Sequence, residues 1–133
     1  MIRLLDTNAC IQLWQRKNLT VRMHFVQHGP ADIALCSVVK AELLFGALRS
    51  ERKDSNLQLL QQLFAPLYSF EFDDNAAAHY AEIRADLTAQ GSLIGANDLM
   101  IAAIARANQA TLITHNTSEF SRVQGLLIED WEV

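Results

Sequence analysis

A chain of 133 residues, half of them apolar, is long enough for one compact domain with a sizeable hydrophobic core, and residues 1–133 are read as one such unit. Its formal charge of −4 excludes a role that depends on a broad basic face, such as tight nonspecific polyanion binding, because counterion release from phosphates needs clustered Lys and Arg. Cys10 and Cys36 lie far apart in apolar stretches and read as buried thiols of a reducing compartment; with no cationic leader and no uninterrupted apolar span, a cytoplasmic location away from membranes is expected.

The first eight residues, Met-Ile-Arg-Leu-Leu-Asp-Thr-Asn, read as a short buried strand that runs into a carboxylate. Ile2, Leu4 and Leu5 are apolar, whereas Asp6-Thr7-Asn8 favour turns and helix N-caps. In an open parallel sheet the strand carboxyl ends and the following helix N-termini face one crevice, where ligands bind, so Asp6 marks that edge. A short helix is expected from Asn8 to about Gln15 and an amphipathic one from Thr20 to about His28, stopped by Gly29-Pro30. Ile33 to Cys36 is a buried strand, after which Ser37 is placed to cap a helix that continues to Leu48. Ser55 to Phe64 is helical, with leucines at 57, 60 and 63, and Pro66 precedes a strand from Tyr68 to Phe72. Asp73 or Asp74 opens a long alanine-rich helix that Gly91 closes. The loop from Ser92 to Ala96 leads to a helix from Asn97 to about Ala107, then a strand at Thr111 to Thr114, a helical turn near Ser118 to Arg122 and a last strand near Leu127 to Glu129. Strands alternating with helices at these spacings predict an α/β fold with a mostly parallel sheet sandwiched by helices.

Four places on this outline carry chemistry. Asp6 ends the first strand, where it serves as a helix cap or as a ligand. Glu42 is more informative: at helical spacing it projects among Val38, Val39, Phe45 and Gly46, and a carboxylate on an otherwise apolar face needs a cation, a donor or water beside it. Asp98 follows Gly95-Ala96-Asn97 at the start of an apolar helix, where the helix dipole favours an anion and Asn97 is available as the cap. Thr114-His115-Asn116-Thr117-Ser118-Glu119 ends a later strand and brings Asn116 and Glu119 to the same edge, although turn chemistry alone accounts for either residue.

Other features are read more plainly. Arg16, Lys17 and Arg22, and again Arg49, Arg52 and Lys53, are grouped as solvated helix ends, with RNA contact as the functional alternative. His24 and His28 stand four apart but lack the intervening Glu of a zinc-protease motif, so they read as a surface face, and His79 has no evident partner. Trp14, Phe64 and Trp131 read as core or interface aromatics. No glycine-rich phosphate loop or nucleophile elbow is present.

Taken together, Asp6-Thr7-Asn8, Ala41-Glu42-Leu43, Gly95-Ala96-Asn97-Asp98, Thr-x-Asn-x-x-x-Phe from Thr114 to Phe120, and the closing Glu129-Asp130-Trp131 resemble the PIN-domain ribonucleases, and among them the VapC toxins of bacterial toxin–antitoxin pairs. The resemblance implies a PIN-like three-layer α/β/α sandwich over essentially the whole chain. It implies that Asp6, Glu42 and Asp98 are the acidic metal-binding positions, that Thr7, Asn8 and Thr114 support them, and that Asn116 and Glu119 contribute to catalysis. Many PIN domains carry Asp where this chain has Asn116; an amide oxygen carries no charge, so a second metal would be weakly held unless Glu119 contributes. An oxygen-rich set without Cys or paired His suits Mg²⁺, with Mn²⁺ able to substitute. The implied partners are a second copy of the chain, an RNA substrate, and a VapB-like antitoxin that seats a segment in a groove along Val38 to Phe64, places a basic side chain among the acids and carries the only contact with operator DNA. The implied substrate is initiator tRNA, cut in its anticodon stem-loop.

Two readings from other classes compete with this one. A PIN-fold regulatory module without activity would share the core, although it need not keep three acids in this order. A metal-dependent phosphatase would also use an Asp after the first strand, but it needs a second Asp two residues later, where this chain has Asn8.

Overall fold

The computed structural model describes residues 1–15 and 18–133. Among these residues five strands form one sheet, β1 (Arg3–Leu5), β2 (Ile33–Cys36), β3 (Tyr68–Phe70), β4 (Thr111–Ile113) and β5 (Leu127–Glu129), in the order β3-β2-β1-β4-β5, and every pairing is parallel. Leu4 is the register's centre, opposite Ala34 on one side and Leu112 on the other. Leu4, Leu5, Leu112 and Ile113 and all of Ile33–Cys36 are buried, as parallel strands covered on both faces must be. The chain winds outward from β1 to β2 and β3, then returns to place β4 and β5 on β1's other flank. That reversal puts a topological switch point between β1 and β4, at whose carboxyl ends a ligand crevice opens.

The helices are α1 (Thr7–Trp14), α2 (Leu19–His28), α3 (Ser37–Arg49), α4 (Lys53–Phe64), α5 (Asp74–Ala89), α6 (Ala96–Ala107) and the single turn α7 (Thr117–Phe120). Expected boundaries hold to within a residue or two, and the caps explain them. Asp73 Oδ1 accepts the Ala76 N–H at 2.9 Å to start α5. Gly91, with φ at +67°, ends it: the Gly91 N–H bonds the Thr88 carbonyl at 3.1 Å and the Ser92 N–H bonds that of Leu87 at 3.0 Å, the paired bonds of a Schellman turn. Two expected caps are corrected. Ser37 is the first residue of α3 rather than its cap, and its hydroxyl donates to the Phe70 carbonyl at 3.4 Å. Gly95, not Asn97, precedes α6. The third strand stops at Phe70, short of Phe72.

Leu99 and the run from Ile101 to Ala105 are buried, so the middle of α6 is enclosed on all sides and packs against α5. Its first turn carries Asp98, whose position is therefore as rigid as the core. Cys10 and Cys36 are free and buried, and burial pushes both thiols above their ordinary range. Among the described residues no helix is long and apolar enough to cross a membrane.

Candidate active site

Asp6 leaves β1 as the sheet ends. Its N–H bonds the Ile113 carbonyl at 3.0 Å, continuing the β1–β4 ladder by one step, and its Oδ1 caps α1 by accepting the Ala9 N–H at 2.8 Å. The Thr114 hydroxyl completes its setting. It accepts the Asn116 N–H at 2.9 Å, which leaves its own hydrogen to donate to the Asp6 carboxylate. Asp6 is only 6 % exposed, and that burial, more than any neighbour, pushes its carboxyl up from 3.8 to about 6. The charges of Glu132 and Glu42 add to the rise.

Glu42 reaches the same place from α3. The Thr7 hydroxyl donates to its Oε1 at 2.9 Å, so the donor expected beside this carboxylate comes from the residue after Asp6. Asp98 enters from the first turn of α6, and its carboxyl is also pushed up to about 6. Burial is the main cause, followed by the charges of Glu119, Glu42 and Asp6. Asn116 donates through Nδ2 to Glu119 Oε2 at 2.7 Å, and the charge of Glu119 in turn bears on Asp98.

Asp6, Thr7, Asn8, Ile11, Glu42, Asp98, Asn116 and Phe120 together line one cavity of about 270 Å³ at the switch point. Three of these eight side chains are carboxylates and none is basic. Among the described residues no three acidic, imidazole or thiol groups already close on a single point. The carboxylates instead stand around the wall, as uncompensated like charges do. Oxygen donors alone, on carboxylates that burial and then mutual repulsion hold above their ordinary pKa, form the donor chemistry that a hard divalent cation satisfies. A second cavity of about 220 Å³ shares Ile11 and Glu42 with the first and runs between α1 and α3 to Ser50 and Asn56.

The expected acids thus converge, and the described basic groups stand outside the cavity at exposed positions, as solvated helix ends do. Arg22, Arg49, Arg52 and Lys53 are exposed and none lines the acidic cavity, while Arg16 and Lys17 lie outside the described residues. Arg49 instead sits over the Phe45 ring, 5.3 Å from its centroid. Two histidine readings are also corrected. His79 has a partner, because its Nδ1 accepts the Arg106 Nε–H at 2.8 Å. His24 and His28 are half-buried, stacked on Trp131 at 5.2 and 5.1 Å between ring centroids. Sequence reasoning missed Glu132, whose charge reaches Asp6, and the pairing of His115 Nδ1 with Asp130 Oδ2 at 2.9 Å, which raises the imidazole pKa. The only sequence signal for either was proximity to the Glu129-Asp130-Trp131 segment.

The Thr7–Glu42 contact yields a direct expectation. Thr7→Val keeps the side chain's shape and removes the donor, so Glu42 loses its orientation while the half-exposed carboxylate remains solvated. An activity that depends on Glu42 should fall roughly 10–100-fold, the range for an outer partner that orients a ligating carboxylate, with little change in thermal midpoint. A rate equal to wild type would show that Glu42 does not depend on Thr7.

Comparison with known proteins gives a consistent answer. The PIN domain profile matches residues 3–126. The chain is 38 % identical over 128 residues, 96 % of each chain, to a Shigella flexneri protein named tRNA(fMet)-specific endonuclease VapC. It is 35 % identical over 133 residues, 99 % of each, to Ribonuclease VapC2 of Rickettsia felis. Among solved structures, VapBC2 of Rickettsia felis bound to a promoter DNA fragment superposes with a TM-score of 0.91 at 34 % identity, covering 98 % of this chain and 99 % of that one. DNA-bound VapBC of Salmonella typhimurium superposes at 0.93 and 33 %, with 98 % of each chain covered.

Proposed function

This chain belongs to the PIN-domain family and, within it, to the VapC ribonucleases, and from that membership and the chemistry of the acidic cavity we propose that it hydrolyses RNA with the help of Mg²⁺, which Mn²⁺ can replace. It is the toxin of a toxin–antitoxin pair. The observation that carries the chemical reading is the convergence of Asp6, Glu42 and Asp98 on one cavity that holds no basic side chain. Asp6 and Asp98 hold the ion, with Glu42 as a further ligand or as the group that orients water. When bound, the ion supplies positive charge to the scissile phosphate and acidifies water.

The chain's own groups do the rest. Thr7 occupies Glu42 Oε1, which leaves Oε2 as the atom that takes the proton from the attacking water. Thr114 and the Ala9 N–H fix the Asp6 carboxylate. Because Glu119 holds Asn116 Nδ2, the Asn116 carbonyl oxygen is left free to accept a hydrogen bond from water or a ribose hydroxyl. Ile11 and Phe120 supply apolar wall that limits water around the acids.

The substrate proposed is initiator tRNA, cut in the anticodon stem-loop. The Shigella flexneri relative carries tRNA(fMet) in its name. A chain of net charge −4 holds RNA through a few contacts rather than bulk charge, so it selects a folded shape with a flexible unpaired loop. Exposed Arg22, Arg49, Arg52 and Lys53, together with Arg16 and Lys17, serve as those contacts along the stem when two copies assemble as a homodimer. The two solved relatives compared above are VapBC complexes bound to DNA, and the partner proposed here is a VapB-like antitoxin that reaches operator DNA on the toxin's behalf. Sequencing of RNA 5′ ends after brief induction, beside an Asp98→Asn control, should show a single cut in one or a few tRNAs. Cuts spread evenly over messages with tRNAs intact would overturn the tRNA assignment, and no cut in any RNA would favour an inactive regulatory module.

A further inference from the structure

The segment after β5 is fixed one residue at a time. Glu129 Oε1 accepts the Trp131 indole N–H at 2.7 Å. Asp130 Oδ2 pairs with His115 and its Oδ1 accepts the Glu132 N–H at 2.9 Å. Trp131 is 1 % exposed, against His24 and His28. These anchors carry Glu132 to the crevice edge, where its Oε2 accepts from Asn8 Nδ2 at 3.5 Å. Asn8 lines the acidic cavity, so Glu132 meets the cavity through Asn8. The two residues after Asp6 therefore act in parallel, Thr7 holding Glu42 from α3 and Asn8 holding Glu132 from the far end of the chain.

We propose that Glu132 is a positioning residue of the acidic cavity: it fixes the Asn8 amide so that a carbonyl oxygen, rather than an N–H, is left to face the cavity, where it supports the site's hold on a hydrated divalent cation. This follows from the donor inventory. A carboxylate accepts only, so it selects the NH₂ end of the amide, and the end left over is an acceptor of the kind that an ion's water or a ribose hydroxyl satisfies. The inference rests on the metal reading given above.

Calorimetric titration of the metal-stripped full-length chain with MnCl₂ and MgCl₂ tests it without RNA. Glu132→Gln should weaken ion affinity roughly tenfold, as loss of an outer partner does, while the ion-free melting temperature does not fall. Asn8→Ala leaves the anchored tail intact and should weaken affinity to a similar degree. The double variant should stay within about twofold of the weaker single one, because coupled residues are not additive. A lower ion-free melting temperature with unchanged affinity would make Glu132 structural and overturn the proposal. So would affinities equal to wild type in Glu132→Gln, or fully additive losses in the double variant. Wild-type protein that binds neither ion would overturn the metal reading as well, whereas wild-type binding with an unaffected Glu132→Gln overturns this inference alone.

Discussion

Asp6→Asn and Asp98→Asn should each abolish RNA cleavage and yet leave the ion-free protein at least as stable as wild type. Both carboxylates line the cavity as members of a set that shares one cation, so removing either takes away a ligand. The loss should exceed the roughly 10–100-fold that even outer partners of a metal ligand are worth. Stability moves the other way because both groups are held at a penalty. The Asp6 carboxyl, raised from 3.8 to about 6 mainly by burial, is charged at pH 7 in a place that disfavours charge by about 3 kcal/mol. Asparagine keeps the side-chain oxygen that caps Ala9 and removes the charge. Circular dichroism and a melting curve verify the fold, and cleavage of a labelled tRNA reads the activity. Full cleavage by either variant, with contaminating nuclease excluded, would falsify the catalytic assignment.

The same shift has a sign in pH. A carboxyl whose folded pKa lies above its unfolded one binds its proton more tightly in the fold, so the native state holds more protons between about pH 4 and 6. Stability of the ion-free protein therefore declines as pH rises through that window, and it is lowest, as far as Asp6 and Asp98 are concerned, above about pH 6. Asp6→Asn should flatten part of the decline, and saturating Mg²⁺ should offset it by giving the two carboxylates a counter-charge.

Much of this site was legible in the sequence because its parts are local. Asp6 follows the apolar strand residues Leu4 and Leu5, Glu42 interrupts an apolar helical face and Asp98 opens an apolar helix, so each acid could be placed on an element from its neighbours alone. Strand pairing is nonlocal. That β1 is central, with β2 and β4 on its flanks, depends on contacts between residues about 30 and 108 positions apart, such as Leu4 with Ala34 and with Leu112. Glu132 was invisible for the same reason: its partner Asn8 is 124 positions away, and an acid near a chain end has no periodicity to mark it. His24 and His28 misled because a helix with a weak apolar stripe reads as a surface, and the ring that covers them, Trp131, comes from elsewhere. His79 was unpaired in sequence and paired in space, 27 positions from Arg106.

Trp131→Ala should produce the largest stability loss of any single change outside the sheet, about 3–5 kcal/mol, the cost of emptying a buried aromatic site. That is a large fraction of the 5–15 kcal/mol that typically holds a domain together. Three contacts support the size of the effect: the ring is 1 % exposed, His24 and His28 lie stacked at 5.2 and 5.1 Å, and the indole N–H donates to Glu129 at 2.7 Å. Deleting the ring also leaves the imidazoles without an apolar lid and releases the strap that carries Asp130 and Glu132. Trp131→Phe separates these terms. Phenylalanine retains most of the stacking and loses only the hydrogen bond, and Glu129 keeps Arg3 at 3.9 Å, so the loss should stay near 1 kcal/mol for the bond, plus the smaller volume. Urea denaturation reads both variants, with an unchanged m-value showing that the fold and not the unfolded state has been altered. A Trp131→Ala midpoint equal to wild type would mean that the segment after β5 does not brace α2 against the sheet. A full loss in Trp131→Phe would place the stabilisation in the Glu129 hydrogen bond instead of the buried ring.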